Sequence, residues 1–272
     1  MNPHTQPIQP GANIKIRSVP NLRDLGGWQT RNGARVRYGR ALRGVELGQL
    51  EGDDLTAFSK LGIRTVYDFR TEPERTAHPD RLPPGVQHIV ADVLQDMQIA
   101  APAQLLNVFD NPQTAQAFLE SGKTAALFEQ VYRQLITLPS ACAAYHKFFT
   151  DLSDETKQPV YFHCTTGKDR TGWAAASLLS LLEVPDELIM QEYLLTNEQL
   201  LPALQPVFDK FQAGGGDPEL LRPMLGVSET YLAAAFDEMR QRFGTLEQYL
   251  SKALGVDENH QAALRELFIE HG

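Results

Sequence analysis

Short apolar segments with strand-like composition alternate with helical patterns in the first part of the chain. The strand-like segments are residues 35–44, 63–70, 86–93 and 159–163. Between the first two, Asp53 or Asp54 can cap a helix that runs through Leu61 and ends at Gly62. This alternation of strands and helices predicts an α/β fold.

Helical patterns dominate from Asn111 and Pro112 onward, apart from the last strand-like segment. One apolar helix face is formed by residues that recur at helical spacing: Leu127, Phe128, Val131, Tyr132, Leu135 and Ile136. The stretch from Thr171 to Val184 is apolar on nearly every side and is bounded by Pro185. This composition predicts a helix that is buried all round.

The last third of the chain carries the capping signals of successive helices. They are Ser228 before residues 231–243, Thr245 with Gln248, and Asp257 after Gly255. The glycine-rich segment 213–218 is too short to separate independent domains, so we expect it to be a hinge within the helical part.

The composition is that of a folded globular protein, since 42% of the 272 residues are hydrophobic and 22% are charged. We expect residues 1–13 to be a disordered lead and residues 14–272 to form a single domain. The lead lacks the basic and apolar regions of a signal peptide, and no apolar run is long enough to span a membrane. The two cysteines do not suggest a disulfide framework. Together these features predict a cytoplasmic protein.

The net charge of −9 argues against constitutive binding to nucleic acid or to an anionic membrane. We therefore expect neither a nucleic-acid partner nor stable membrane association. A small basic site can still hold an anion locally. The patterns favour no particular oligomeric state.

The residues that follow the fourth strand combine the features of an anion-binding loop. The sequence HCTTGKDRTG, residues 163–172, places Cys164 six positions before Arg170. This spacing alone is weak evidence, because about one chain in ten with two cysteines would show it by chance. The context is more informative, since an apolar strand precedes the loop, the loop contains Gly167 and Lys168, and a helix begins near its end. Backbone N–H groups and a helix N-terminus then converge on one point, which favours phosphate.

Cys164 lies at the mouth of this loop and is the candidate nucleophile. The loop amides, the helix terminus and the two nearby cations would lower the pKa of its thiol well below the free value of about 8.5. Attack by the thiolate on phosphorus would form a phosphocysteine intermediate, which water then hydrolyses.

Arg170 and Thr171 complete the predicted chemistry. The planar guanidinium of Arg170 can bind two phosphate oxygens at once, and the Thr171 hydroxyl can donate to the sulfur as it leaves phosphorus. Because Arg170 and the amides already meet the charge that develops on the phosphoryl oxygens, we expect no metal and no other cofactor. The residues predicted to bind the substrate phosphate are Cys164, Thr165, Thr166, Gly167, Lys168, Asp169 and Arg170.

Three motifs, in order along the chain, resemble those of a known superfamily. HCTTGKDRTG looks like the H-C-x5-R-[ST]-G loop of cysteine-dependent protein tyrosine phosphatases. PNLRDLGG, residues 20–27, and YDFRTEPE, residues 67–74, resemble two further motifs of the bacterial branch that includes mycobacterial protein tyrosine phosphatase B. With the helical tail, the similarity extends from about residue 14 to about residue 270.

The resemblance implies a phosphatase fold in which helices flank a central, mostly parallel sheet. Further helices would form a C-terminal part and could act as a lid, with segments 100–135 and 186–226 best placed to overhang the site. The implied activity is hydrolysis of phosphotyrosine, extended in parts of the branch to phosphoserine and phosphothreonine. The implied partner is a phosphorylated protein or a phosphoinositide.

Three aspartates compete as the general acid that protonates the leaving oxygen. Asp169 ranks first, because superfamily loops with Asp before the Arg often lack the separate acid-bearing loop of larger tyrosine phosphatases. Asp68 ranks second, its alternative being a strand-end residue paired with a backbone amide or with Arg70. Asp92 is better interpreted as a loop cap.

The neighbouring residues carry weaker assignments. His163 is expected to form hydrogen bonds within the loop and help hold the thiolate, and Lys168 to contact the substrate phosphate or a second anionic group, unless it is a solvated surface lysine. The resemblance implies that Asn21, Arg23 and Asp24 brace the loop without contacting the substrate. Two residues are expected in the core: Cys142 and Trp173.

Other functions remain as alternatives. A phosphoinositide phosphatase would use the same chemistry. A catalytically silent phosphate-binding module would usually have lost Cys164 or Arg170, and both are present. A sulfurtransferase commonly has a shorter spacing from cysteine to arginine, and an arsenate reductase needs a resolving cysteine that is not evident.

Overall fold

The computed structural model describes residues 9–97 and 119–270. The predicted onset of helical structure at Asn111 and Pro112 lies outside these ranges. The described strands are β1 Arg23–Asp24, β2 Arg35–Val36, β3 Ala41–Gly44, β4 Thr65–Asp68, β5 Gln87–Val90, β6 Val160–His163 and β7 Ile269–Glu270.

Five of these strands form the central sheet, in the order β1-β3-β6-β4-β5. Strands β3, β6, β4 and β5 are mutually parallel, and β1 pairs antiparallel with β3. Strand β6 lies in the middle and is buried along its whole length. The register sets His163 beside Gly44 on one side and Asp68 on the other, so three carboxyl ends meet at one edge of the sheet. This edge is where ligands bind in open α/β sheets.

Helices cover the sheet and form most of the second half of the chain. The described α-helices are α1 Gly52–Ser59, α2 Glu72–Ala77, α3 Lys123–Gln134, α4 Pro139–Leu152, α5 Arg170–Leu181, α6 Asp186–Leu200, α7 Gln205–Ala213, α8 Arg222–Leu225, α9 Glu229–Phe243, α10 Leu246–Lys252 and α11 Glu258–Phe268. The predicted α/β fold with a mostly parallel sheet is therefore confirmed. None of the described helices is both long enough and apolar enough to cross a bilayer.

Helix α5 follows the central strand and is buried on nearly every side, as its composition predicts. Trp173 within it is 1% exposed and belongs to the main hydrophobic cluster. The three capping signals of the last third are also confirmed. The side chains of Ser228, Thr245 and Asp257 each accept a hydrogen bond from a backbone N–H in the helix that follows.

The predicted strand 35–44 is wrong in extent. The structure divides it into β2 and β3, with a turn at Gly39 whose φ is 70°. Strand β2 leaves the central sheet and pairs with β7 instead. The prediction of strand structure in this segment was correct. Strand propensity does not reveal that the two halves of one segment join different sheets.

The predicted first helix also differs at both ends. It begins at Gly52, with Glu51 at the N-cap, and it ends at Ser59. Asp54 does not cap it, because its carboxylate accepts a hydrogen bond from the Ser18 N–H at 2.8 Å. Gly62 has a φ of 68° and takes part in the turn beyond the helix end.

Candidate active site

The loop between β6 and α5 lies at the carboxyl edge of the sheet, so the fold brings the predicted signature residues together. Gly167 adopts a φ of 65°, a left-handed conformation that favours glycine. A Cβ atom at this position would also collide with the carbonyl oxygen of Gly44 at the end of β3. The close approach of loop and strand therefore requires glycine.

Cys164 begins the loop and is 1% exposed. Burial raises the pKa of its thiol, but the positive charge of Arg170 and the Thr171 hydroxyl and N–H outweigh burial and bring the pKa below its ordinary value. The Thr171 hydroxyl is buried and has no other hydrogen-bond partner in the described part of the chain. These surroundings stabilise the thiolate, the form that acts as a nucleophile.

Arg170 pairs with Glu74 through two parallel contacts. Its Nη1 and Nη2 atoms each lie 2.7 Å from a carboxylate oxygen of Glu74, and the Thr165 hydroxyl donates to the same carboxylate at 2.5 Å. Burial raises the pKa of Glu74, but the Arg170 charge dominates and holds that pKa well below its usual range. Glu74 has no role among the predictions made from the sequence. The available signal was its position as the last residue of YDFRTEPE.

Asp169 precedes Arg170 and lines the cleft above the loop. Its carboxylate accepts a hydrogen bond from the Tyr132 hydroxyl at 3.0 Å, and Tyr132 in turn lies 2.6 Å from the Tyr193 hydroxyl. Two buried tyrosines, from α3 and α6, therefore fix the direction of this carboxylate. Neither tyrosine was singled out as a site residue from the sequence.

Lys168 is 4% exposed, so it is not a solvated surface lysine. Its ammonium donates to the backbone carbonyls of Met224 and Gly226, the latter at 2.9 Å, and lies 4.4 Å from the centre of the Phe128 ring. Burial lowers the pKa of Lys168, and the nearby Asp169 carboxylate opposes this shift. The side chain thus ties the loop to α8.

The cleft above the loop has polar and apolar walls. The polar side is formed by Thr165, Thr166, Lys168, Asp169 and Arg170. The apolar side is formed by Leu94, Val131, Leu135, Met224 and Leu225. Residues from both segments predicted to overhang the site, 100–135 and 186–226, therefore line the cleft, although residues 98–118 lie outside the described structure.

His163 directly precedes Cys164 and is fully buried. Its Nδ1 atom lies 2.9 Å from the Cys164 carbonyl oxygen, which is the predicted hydrogen bond within the loop. Its Nε2 atom lies 3.0 Å from a carboxylate oxygen of Asp80, a residue that the sequence analysis did not single out.

Asp68 lies beside His163 in the sheet, and its side chain contacts Arg70 and His88. It is fully buried, and its two oxygens contact Arg70 Nε at 2.9 Å and Nη2 at 2.7 Å. Asp68 also accepts the Arg70 backbone N–H, so the structure favours the alternative in which Asp68 is a paired strand-end residue. Asp92 caps its own loop by accepting the Leu94 N–H at 3.0 Å, and burial raises its pKa.

Asn21 braces the loop directly. Its amide nitrogen lies 3.3 Å from both the Thr166 and the Gly167 carbonyl oxygens, and its backbone is left-handed with a φ of 63°. Asp24 contacts a different turn, because it accepts the N–H groups of Gly26 and Gly39. These contacts lend no support to the expectation that Asp24 braces the loop.

Arg23 acts through a buried ion network. It donates to Asn21 and to Glu192, with 2.6 Å between Arg23 Nε and the Glu192 carboxylate. Arg43 shares that carboxylate at 2.8 Å and donates to the Gly167 carbonyl at 2.7 Å. Neither Arg43 nor Glu192 was identified from the sequence, because they lie on β3 and α6, far along the chain from the loop.

Cys142 lies on α4 and is half-buried, which agrees with a packing role at the edge of the core. Its sulfur lies 3.6 Å from the Ile136 carbonyl oxygen, and burial raises the pKa of its thiol. The two cysteines therefore differ in electrostatic setting.

Comparison with known proteins identifies similar chains among the phosphatases. A family model described as the tyrosine phosphatase family matches residues 14–270. A protein of Cupriavidus necator assigned as a tyrosine-protein phosphatase is 28% identical over 258 residues, which cover 94% of this chain and 89% of that protein. The triple specificity protein phosphatase PtpB of Mycobacterium tuberculosis is 28% identical over 267 residues, which cover 88% of this chain and 94% of that protein.

A tyrosine-protein phosphatase of Nostoc commune is 26% identical over 239 residues, covering 82% of this chain and 72% of the relative. These findings confirm the resemblance carried by the three motifs and the assignment to protein tyrosine phosphatases. Because the family model matches nearly the whole chain, this protein belongs to the tyrosine phosphatase family.

Proposed function

We propose that this protein is a metal-independent phosphomonoesterase that hydrolyses phosphotyrosine through a phosphocysteine intermediate. The observation that carries the proposal is the placement of Cys164 and Arg170 in one buried loop, where the charge of Arg170 lowers the pKa of the thiol. The loop amides and the N-terminus of α5 add further positive potential at the same point.

In the first step the Cys164 thiolate attacks phosphorus, and an S–P bond forms as the bond to the tyrosine oxygen breaks. Asp169 is the proposed general acid and gives its proton to the leaving oxygen. Tyr132 holds the Asp169 carboxylate towards the cleft. Arg170 binds the equatorial phosphoryl oxygens, where negative charge develops.

In the second step water attacks phosphorus and the S–P bond breaks. Asp169, now a carboxylate, accepts the proton from water, and the products are inorganic phosphate and the regenerated thiolate. Thr171 donates to the sulfur and stabilises it as it leaves. The reaction needs a reduced sulfur throughout, which supports a reducing compartment such as the cytoplasm.

The substrates that we propose are phosphorylated proteins. The apolar side of the cleft suits the ring of phosphotyrosine. Phosphoserine and phosphothreonine are included because one relative is named a triple specificity protein phosphatase. Phosphoinositides are less favoured as substrates, since the Lys168 ammonium already donates to two backbone carbonyls.

The test is phosphate release from a phosphotyrosine peptide, a phosphoserine peptide and phosphoinositides, each with a chelator present. Cys164→Ser should remove turnover, whereas Cys142→Ser, which changes the cysteine on α4, should retain it. Appreciable turnover by Cys164→Ser would contradict the nucleophile assignment. Faster release from phosphoinositides than from either peptide would overturn the proposed substrate class.

A further inference from the structure

His163 and Asp80 form a buried pair next to the nucleophile. Asp80 lies in the loop that follows α2, and its side chain is 1% exposed. Its Oδ2 atom lies 3.0 Å from His163 Nε2, within ion-pair distance, and neither atom meets hydrogen-bond geometry with any described residue. Asp80 is therefore the group that influences whether His163 Nε2 carries a proton.

The two ring nitrogens of His163 both face acceptors. Nδ1 lies 2.9 Å from the Cys164 carbonyl oxygen, which can only accept a hydrogen bond, and Nε2 faces the Asp80 carboxylate. A neutral imidazole carries one N–H, whereas the imidazolium carries two. Two facing acceptors favour the charged ring, and the raised pKa of His163, where Asp80 outweighs the opposing effect of burial, agrees with it.

Asp80 is itself fixed by groups on three sides. It accepts the Leu47 N–H at 2.8 Å, and its Oδ1 atom lies 3.0 Å from Arg70 Nη2. His88 Nε2, on β5, lies 3.3 Å from Asp80 Oδ2. Asp80 cannot turn away from His163 without breaking these contacts.

The remaining charges of the cluster are balanced. Arg70 also contacts Asp68 at 2.7 Å and Glu46 at 3.5 Å, and His88 lies 3.5 Å from Asp68. The oxygens of Asp68 and Asp80 and a nitrogen of His88 lie near enough to ligate a metal ion, but the Arg70 guanidinium already contacts both carboxylates. The cluster is an ion-pair network that ends at His163.

We propose that Asp80 is a positioning residue that holds His163 as an imidazolium next to Cys164 and thereby increases the fraction of Cys164 present as the thiolate. The proposal rests on Cys164 being the nucleophile of the proposed reaction. Asp80 acts through His163, whose Nδ1 lies 2.9 Å from the Cys164 carbonyl oxygen on the side of the ring opposite Asp80. Loss of the pair therefore disfavours the thiolate, although a negative charge is removed.

Asp80→Asn is the informative variant because it can keep the hydrogen bonds while changing the charge. The Asn amide can donate to the Nε2 of a neutral imidazole, whose Nδ1–H still donates to the Cys164 carbonyl. The matched control is Asp151→Asn, which removes a carboxylate on α4 that contacts Lys157 at 2.6 Å and Tyr67 at 3.0 Å. That change disturbs a network of similar size on another element.

The measurement is the rate of iodoacetamide alkylation of Cys164 against pH, followed on the peptide that carries Cys164. In Asp80→Asn the midpoint should rise by about one pH unit, so that alkylation below the midpoint falls about tenfold. Asp80→Glu should restore most of the rate, and Asp151→Asn should leave the midpoint unchanged. In a His163→Asn background, Asp80→Asn should add no further upward shift.

An unchanged midpoint in Asp80→Asn would overturn the proposal, as would a downward shift, which would mean that Asp80 acts on the thiolate directly. A full shift in the His163→Asn background would do the same. Alkylation does not depend on turnover, so this result stands apart from the proposed function. If Asp80→Asn shifts the midpoint as expected but the wild type shows no phosphatase activity, only the proposed function is contradicted.

Discussion

Cys164 combines full burial with a stabilised negative charge, two conditions that normally oppose each other. Burial alone would favour the thiol. Arg170 reverses the balance, and Glu74 holds the guanidinium in place by two contacts of 2.7 Å. Glu74 also neutralises part of the charge that stabilises the thiolate. The cost is offset by orientation, because a free arginine side chain would have to be ordered by each substrate.

The identity of the general acid also depends on a single residue, Asp169. If Asp169 protonates the leaving oxygen, Asp169→Asn should lower kcat on alkyl phosphates far more than on nitrophenyl phosphate, whose leaving group needs no proton. The loss on the poor leaving group should be about 10²-fold or more. Steady-state kinetics on the two substrates measures it. Equal losses on both would show that Asp169 only positions the loop.

At the scale of elements, the loop is held by β1, β3 and α6. Arg23 from β1 and Arg43 from β3 both contact Glu192 of α6, and all three side chains are at most 1% exposed. Removing one partner of such a buried network leaves an uncompensated charge and typically costs about 3–5 kcal/mol. The network therefore fixes the distance between the sheet edge and the loop.

Substitution of Gly167 tests whether activity requires the close approach of β3 to the loop. Gly167→Ala and Gly215→Ala both place alanine at a positive φ, which costs about 1–2 kcal/mol in unfolding free energy. At Gly167 the added Cβ would collide with the backbone of Gly44. At Gly215 no atom lies within 4 Å of the added Cβ. We expect Gly167→Ala to lose more stability, and about 10²-fold in activity, while Gly215→Ala stays active. Urea unfolding and a phosphatase assay compare the two, and indistinguishable variants would contradict the expectation.

The elements also show what the sequence can predict. The loop, β6 and α5 were predictable because strand, cradle and helix follow one another within residues 159–184. Arg43, Asp80 and Glu192 were not, because isolated charged residues on distant elements give no local signal. The division of residues 35–44 into two strands was not predicted for a similar reason, because the pairing of β2 with β7 depends on the tertiary structure.

At the scale of the whole molecule, the ion-pair network behind His163 links stability to pH. Hydrogen bonding to Asp68 and to Asp80 raises the pKa of His88 from 6.5 to about 9. The folded state binds this proton more tightly than the unfolded chain does. His88 therefore contributes stability that is fully present below pH 6.5 and is lost as the pH rises through about 9.

The comparison of wild type with His88→Gln isolates this contribution. Below pH 6.5 the wild type should be the more stable, and its advantage should decline as the pH approaches 9. Urea unfolding of both proteins across this range gives the difference in unfolding free energy. A difference that does not vary with pH would show that folding does not raise the pKa of His88, which would contradict the expectation.

The position of β6 in the middle of the sheet has a consequence for the order of folding. Its residues pair with Ala41 on one side and Thr65 on the other, both from much earlier in the chain. Contacts of such long sequence separation close large loops and form slowly. The nucleophile loop is attached to the end of β6, so it can assume its active geometry only once these pairings exist. Recovery of phosphatase activity after dilution from denaturant should therefore trail the recovery of helical signal, which makes catalysis itself a reporter of the last stages of refolding.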